Sequence, residues 1–339
     1  MKRSIALVSQ NCQSVNKLHI NYWAARKGSI KTNFRKEDAI DFGLDLPAGD
    51  RAKFSLIIPA NTAIQKPMCL VSELSSNDEL LNSLFNEKCS RESIDSNNTP
   101  RFKVGGRSID LIRFSELEEV GYKKYTDYRA IEIDVSPSDV ERYVRFRIKV
   151  KDKNPFSRIK SQFSSFLETI LMRRRLIDFR VNSNRQFPPE FLRDETMVKI
   201  DAIHFFFIHH SDEFVERCSD SKNRERFLET SVWEGYAPDG LSDGSEDVWE
   251  ALHSKKELAD DDNSFNIFIS SKFPSINFKY LLYTFALTIL LGIGINFSST
   301  LLNKYFGFEG YLNIVFERNS GRSGSEDGDA VATGHLREK

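Results

Sequence analysis

The longest apolar segment of the chain lies near the C-terminus, at residues 280–303, and reads YLLYTFALTILLGIGINFSSTLLN. It contains no acid and no lysine or arginine, and in a helix its apolar side chains would point in every direction, as they do when lipid surrounds a helix. A helix of this length reaches roughly 30 Å or slightly more, about the thickness of the hydrocarbon layer of a bilayer. The pattern predicts one transmembrane helix within residues 276–303, with a buried helix of a soluble domain as the alternative.

Before this segment, short runs of β-branched and aromatic residues alternate with polar turns, a pattern typical of strands. The predicted strands are 18–23, 30–34, 54–58, 128–135, 144–151, 176–181 and 197–208. Helical spacing of apolar residues predicts three helices: one that begins at Ser76, with Glu79 completing a capping box, one within 157–175, and one within 211–229. The fold class expected is α+β: a β-rich, largely antiparallel region with a few helices, followed by one C-terminal transmembrane helix.

Changes in composition divide the chain into five predicted parts. A polar stretch at 90–106, broken by Gly105 and Gly106, predicts a loop, and residues 229–262 carry eleven acids against two lysines. The parts are a β-rich N-terminal subdomain at 1–100, an α+β subdomain at 101–228, an acidic linker at 229–275, the transmembrane helix at 276–303, and an interfacial segment with a disordered tail at 304–339.

Charge and cysteine content add an expected location. The net charge is −1, and the four cysteines are scattered without metal-ligand spacing, as in a reducing compartment, so we expect no metal and no cofactor. The first apolar run, Ile5–Val8, is too short for the core of a signal peptide. We therefore expect a single-pass protein of the cell (inner) membrane with its large N-terminal part in the cytoplasm.

Cations concentrate between Arg142 and Arg185, where thirteen lysines and arginines stand against three acids. Along the strand at 144–151, basic residues alternate with apolar ones, which places them about 7 Å apart on one face, near the spacing of phosphates in a nucleic-acid strand. This predicts a site for a nucleotide or oligonucleotide, and acids on a neighbouring strand, such as Glu132 and Asp134, are the alternative partners. The predicted ligand-binding residues are Arg142, Arg145, Arg147, Lys149, Lys151, Arg173, Arg174 and Arg175.

A second polar cluster invites a catalytic interpretation. His204, His209 and His210 are followed by Asp212 and Glu213, residue types that bind metals or act as general bases. Their spacing matches no known metal or catalytic motif, and the chain contains no recognisable nucleophile or phosphate-loop signature. A membrane-bound enzyme is therefore the least favoured of the functional classes.

The layout of the whole chain, a cytosolic β-rich region followed by a transmembrane segment, resembles membrane effectors of bacterial anti-phage defence. The resemblance implies that ligand binding changes the packing of a homo-oligomer and that several helices together open a pore or disturb the bilayer, because one apolar helix cannot line a water-filled path. The residues expected to line the pore or to pack the helices are Gly292, Gly294, Asn296, Ser298, Ser299 and Thr300. The alternative is a membrane-anchored adaptor or scaffold that binds a protein partner.

Overall fold

The computed structural model describes residues 4–11, 14–25, 37–59, 63–64, 67–94, 99–113, 122–124, 128–151, 154–161, 165–183, 196–220, 223–238, 248–258, 263–275 and 278–306. The chain forms two compact units, Met1–Asn277 and Phe278–Lys339. The strand predicted at 30–34 and the segment from residue 307 onward, which includes most of the predicted tail, lie outside the described residues.

The described part of the first unit is mainly β-structure. Its first ten strands are β1 Ser4–Ser9, β2 Ser14–Trp23, β3 Asp38–Leu46, β4 Ala52–Pro59, β5 Ala63–Ile64, β6 Met68–Cys69, β7 Cys89–Ile94, β8 Pro100–Val104, β9 Arg107–Leu111 and β10 Tyr122–Lys124. The next ten are β11 Tyr128–Val135, β12 Glu141–Lys151, β13 Ser157–Lys160, β14 Met172–Val181, β15 Thr196–Met197, β16 Lys199–His210, β17 Phe214–Cys218, β18 Arg224–Leu228, β19 Trp249–Glu257 and β20 Phe265–Pro274. The helices are α1 Val71–Ser76, α2 Asp78–Phe85, α3 Phe166–Leu171, α4 Thr230–Trp233 and, in the second unit, α5 Phe278–Phe306.

These strands form two mixed sheets. The first has the order β10-β11-β4-β1-β14-β20-β17, with β13 beside β14 and β15 beside β1. The second has the order β18-β19-β16-β2-β3-β12-β9-β8-β7, with β5 and β6 beside β12. The fold is therefore α+β and β-rich, as predicted. Since β1 pairs with β14 and β4 with β11, both predicted subdomains contribute strands to the first sheet, and their boundary at residue 100 does not divide the fold.

The two sheets pack face to face through the larger hydrophobic core. Phe179 of the first sheet lies 5.3 Å, ring centre to ring centre, from Phe205 of the second, and both side chains are buried. Alternating apolar residues of β2, β3, β12 and β16 face this core. We call the resulting two-sheet body the sandwich.

A third layer covers the other face of the second sheet. Helices α1, α2 and α4 bury apolar residues against it, and Trp23 of β2 lies 5.9 Å from Trp233 of α4. Helix α2 begins after Asn77, whose side-chain oxygen accepts a hydrogen bond from Leu80 N at 3.0 Å. The capping box predicted at Ser76 is therefore wrong: Ser76 ends α1, and an asparagine fulfils the capping role one position later.

Three segments differ from their predictions. Residues 157–175, predicted as one helix, contain β13, the six-residue α3 and the start of β14, so the three consecutive arginines lie in a strand. The helix predicted at 211–229 is the pair β17 and β18, and the loop predicted at 90–106 contains most of β7 and all of β8. The acidic stretch 229–275, predicted as a linker, contributes α4, β19 and β20, because its apolar residues complete the two sheets.

The last helix agrees with its prediction and is longer. Helix α5 extends over 29 residues, and its segment Tyr280–Tyr305 is long and apolar enough to cross a membrane, with a mean hydropathy of 1.8 and 0% of the apolar window buried within the protein. At 1.5 Å per residue this segment measures about 39 Å, enough to cross a hydrocarbon layer with some tilt.

Candidate functional site

The basic face predicted on β12 lies inside the protein. Tyr143, Arg145 and Arg147 project from the second sheet toward the layer of helices, and Arg145 and Arg147 are 0% and 2% exposed. The prediction that these arginines form an open surface is corrected, because the α1, α2 and α4 layer covers the polar side of the strand. The sheet geometry of the prediction holds, but the environment is a protein interior instead of water.

Asp41 of β3 is the centre of the network around these arginines. Its carboxylate accepts two hydrogen bonds from Arg147, from Nε at 2.6 Å and Nη2 at 3.0 Å, and one from Trp23 Nε1 at 2.8 Å. Tyr236 donates its hydroxyl to Asp41 at 3.0 Å and accepts a hydrogen bond from Arg145 Nε. A bidentate pair of this kind is the strong form of a charge-assisted hydrogen bond. The cations are thus bound by an acid of a neighbouring strand, but it is Asp41 of β3; Glu132 and Asp134, the acids named for this alternative, lie in β11 of the other sheet.

Gly43 has no side chain, and this leaves space for the Tyr143 hydroxyl in the network. Gly43 faces Arg145 across the β3–β12 ladder, and a Cβ built on it would overlap the Tyr143 hydroxyl. That hydroxyl accepts a hydrogen bond from Arg145 Nη1 at 2.8 Å and lies 3.0 Å from Nδ1 of His19. The network therefore continues from the arginines to a row of histidines.

The other predicted ligand-binding cations are also engaged with the protein or lie apart. Arg142 is buried and donates to the backbone oxygens of Pro47, Asp50 and Ser136, which fixes the loops at the opposite end of the strand. Lys149 is half-buried, and the side chain of Lys151 lies outside the described part of the chain. The predicted set is therefore not one continuous face.

Arg173, Arg174 and Arg175 alternate across β14, so they point to different sides. Arg175 faces the interior and is 0% exposed; its Nη1 lies 3.3 Å from Asp38 Oδ1 and its Nε 3.1 Å from Glu213 Oε1. Arg175 also donates to the backbone oxygen of Ala25 at 2.6 Å, so one side chain of the first sheet joins the start of β3, the end of β2 and the turn after β16. Outside, Arg174 pairs with Glu216, while Arg173 is half-buried.

Three histidines form a row beside the Asp41 network on the second sheet. The rings of His19 and His204 lie 5.1 Å apart, those of His204 and His253 5.3 Å apart, and Phe206 stacks on His253 at 4.3 Å. Burial, followed by the neighbouring charge of His253, lowers the pKa of His204 from 6.5 to about 4. Burial, followed by Arg226 and Arg224, lowers the pKa of His253 to about 4. Both rings are therefore neutral near pH 7.

This row makes the stability of the sandwich sensitive to acid. Between pH 6.5 and about 4, His204 and His253 become protonated in the unfolded chain but stay neutral in the folded chain. The free energy of unfolding therefore falls as the pH falls through this window. We expect the melting temperature, followed by tryptophan fluorescence, to drop by a few degrees over that range. The His204→Phe/His253→Phe variant should show a flatter profile, and an unchanged profile would contradict this account.

The second predicted cluster has no arrangement for a metal. Nδ1 of His209 lies 3.0 Å from the backbone oxygen of His210, Nδ1 of His210 lies 2.8 Å from Asp212, and Glu213 pairs with Arg175. Among the described residues, no group of three or more histidines, cysteines, aspartates or glutamates could hold a metal ion.

A small cavity lies between the helical layer and the second sheet. It is lined by Asn21, Leu84, Phe206 and Trp233 among others, and the space open to the centre of a water molecule is about 10 Å³. This is room for about one water molecule, which Asn21 Oδ1 could bind because that atom is buried without a hydrogen-bond partner. The cavity is too small for a nucleotide.

The predicted pore and packing residues all lie on α5. The hydroxyls of Ser299 and Thr300 donate to the backbone oxygen of Asn296 at 2.9 Å, which satisfies them within the helix. Gly292, Gly294 and Ser298 are exposed, as is the amide side chain of Asn296. Amides and small residues at such positions allow helices to pack closely in a bilayer, which is the basis of the predicted helix-packing surface.

Comparison with known proteins assigns no family. No protein-family model matches the chain, and none of the curated proteins compared with it is significantly similar.

Proposed function

We propose that the chain is a membrane-anchored binding protein in which α5 holds the sandwich at a bilayer and the sandwich recruits a protein partner. The observation that carries the anchoring is the segment Tyr280–Tyr305, whose apolar window is 0% buried within the protein. Exposed apolar side chains on every side of a helix are stable in lipid and unfavourable in water.

The pairing of the interior cations favours the adaptor over a nucleotide sensor. Arg145, Arg147 and Arg175 meet Asp41, Asp38 and Glu213 within the fold, so a phosphate would have to displace internal carboxylates and enter a closed interior. Desolvating both the ligand and the pair is unfavourable, which makes the exterior of the sandwich the better place for a partner. We keep the predicted orientation, with the sandwich in the cytoplasm, as part of this proposal.

The ligand-gated effector predicted from the sequence is the second candidate. It is supported by Asn296, a polar residue near the middle of the exposed helix, and by the small residues at 292 and 294, which suit a homo-oligomer in the membrane. In this case the anionic ligand binds a surface other than the covered face of β12, and the oligomer acts on the integrity of the membrane.

One experiment separates these possibilities. The full chain is reconstituted into dye-loaded vesicles, and its resistance to extraction by alkaline carbonate is compared with that of Ile293→Arg and Ile293→Ala. An arginine near the centre of a transmembrane helix raises the free energy of inserting that helix into the membrane by roughly 3 kcal/mol. We therefore expect the wild type and Ile293→Ala to resist extraction, and Ile293→Arg to be partly released.

The same vesicles then receive a panel of cyclic and linear nucleotides and a single-stranded oligonucleotide. Retention of the dye agrees with the adaptor, whereas release in response to one of these additions identifies the effector. Complete extraction of the wild-type chain by carbonate would contradict the membrane anchor in either form.

A further inference from the structure

The exposed apolar side chains of the first unit concentrate at one end of the sandwich. In its described residues seven large apolar side chains are exposed, and five of them lie at the end where β20 finishes, which we call the β20 end: Phe166, Leu171, Phe214, Phe227 and Val248. The other two, Met68 and Phe268, lie farther along the strands. Grouped exposure of this kind marks a contact surface, since isolated apolar residues would be scattered.

Backbone pairing fixes Leu171 and Phe214 to the β20 end of the first sheet, and Phe166 lies in the short helix that ends at Leu171. The backbone oxygen of Leu171, the last residue of α3, accepts a hydrogen bond from Ser275 N at 2.8 Å. Phe214 begins β17 opposite Lys272 of β20, and Phe166 begins the short α3. Phe166 and Phe214 are 60% and 69% exposed, which leaves most of each ring without protein cover.

The second sheet presents its two apolar residues at the same end. Phe227 lies opposite Glu250 at the start of β19, and the backbone oxygen of Val248 accepts a hydrogen bond from Ser211 N at 2.9 Å. The ends of the two sheets are joined by buried Arg175, which binds Asp38 of β3 and Glu213 between β16 and β17. The five residues therefore belong to one end of the body.

The chain leaves the sandwich from this same end. Ser275 is three residues before Phe278, where α5 begins, and three extended residues reach about 10 Å at most. If α5 spans a bilayer, as proposed above, Ser275 and the strand ends that it contacts stay close to the headgroups. We propose that the β20 end of the sandwich rests in the lipid headgroup region, with Phe166, Leu171 and Phe214 inserted among the lipids.

Two of the cations at the β20 end, Lys272 and Arg174, are paired with acids. Lys272 pairs with Glu216 at 2.7 Å and with Glu168 at 3.2 Å, and Arg174 pairs with Glu216 at 3.1 Å. These two cations are already matched by acids, so the contact that we propose rests on the apolar and aromatic side chains. Aromatic rings are favoured in the headgroup region, and zwitterionic lipid is therefore a sufficient partner.

Tryptophan quenching by brominated lipid tests the proposal on the full chain. Phe166, Leu171 and Phe214 are replaced by tryptophan one at a time and reconstituted into phosphatidylcholine vesicles with or without bromine on the acyl chains. The three native tryptophans, Trp23, Trp233 and Trp249, are at most 5% exposed and give a constant background. Phe285→Trp in α5 is the positive control, and Phe268→Trp is the matched control, because Phe268 is an exposed aromatic residue of β20 about 20 Å from Pro274.

We expect brominated lipid to quench the tryptophans at 166, 171 and 214 by a fraction close to that at 285, with little effect at 268 and little change at high salt. Quenching at 285 without quenching at 166, 171 and 214 would overturn the surface contact while the anchor stands. No quenching at 285 would overturn the anchor itself. Tryptophans at the β20 end that are shielded from both bromine and aqueous acrylamide would assign the surface to a second copy or another protein, which also overturns the proposal.

Discussion

Replacing Asp41 with alanine should destabilise the sandwich by about 3–5 kcal/mol, because it leaves two buried guanidinium groups without their carboxylate. Asp41 is 0% exposed, and it accepts hydrogen bonds from Arg147, Trp23 and Tyr236. For a unit of this size the melting temperature should fall by on the order of 10 °C. The three tryptophans lie in or near this region, so the unfolding of the full chain in detergent is followed by their fluorescence.

A second aspartate–arginine pair supplies the control. Arg51 donates to both oxygens of Asp134, from Nε at 2.7 Å and Nη2 at 2.6 Å, but the two side chains are 66% and 40% exposed. The hydrogen-bond geometry matches that of Arg147 and Asp41, and the two pairs differ in their exposure to water. Asp134→Ala should therefore leave the melting temperature nearly unchanged. Similar losses for Asp41→Ala and Asp134→Ala would show that burial does not govern the strength of these pairs.

Replacing Arg175 with methionine should also cost about 3–5 kcal/mol, for the opposite reason: two buried acids lose their cation. Methionine keeps much of the packing of the arginine stem against Phe273, whose ring lies 5.2 Å from the guanidinium carbon. The acids left behind are Asp38 and Glu213, which lie 3.3 Å and 3.1 Å from Arg175. Thermal unfolding of the full chain measures the loss.

Two further measurements identify charge as the cause. In Arg175→Met the two carboxylates that have lost their cation become neutral only by taking up protons. Mild acidification should therefore reduce the difference in stability between this variant and wild type. Addition of Glu213→Gln removes one of the two charges and should recover part of the lost stability, a non-additive result typical of residues in contact. If the difference in stability from wild type does not change with pH, and the double variant recovers no stability, the loss comes from packing instead.

The sequence predicts those central strands that carry an alternating pattern or a long apolar run. From Ile131 in β11 and from Val144 in β12, apolar residues face the core at every second position, and no other local structure repeats that way, whereas β16 is predicted from its long apolar run. The strands missed include β1, β3, β19 and β20, which lie inside the sheets, and β7, β17 and β18, which end them. An edge strand contacts one neighbour and more water, so its polar composition resembles that of a surface helix or a loop.

The misassigned basic face has a different cause. Alternation shows which side of β12 is polar, but not whether a further layer covers that side. The sequence did contain the matching signal, since Asp41 and Asp45 alternate with Ile40, Phe42 and Leu44 in the neighbouring β3 just as the cations alternate in β12. Two strands of opposite charge and the same period favour each other. What no local pattern contains is Tyr236, which reaches this network from a part of the chain nearly a hundred positions away.

The position of β20 determines how the fold bears mechanical load. This strand is held by β14 on one side, through ten facing residue pairs, and by β17 on the other. A force applied at Pro274 along the strand loads the hydrogen bonds of both ladders in parallel, as shear, and does not peel them apart one after another. Because β20 precedes α5 in the chain, a force on α5 reaches the sandwich through a strand that is held on both sides and resists being pulled out.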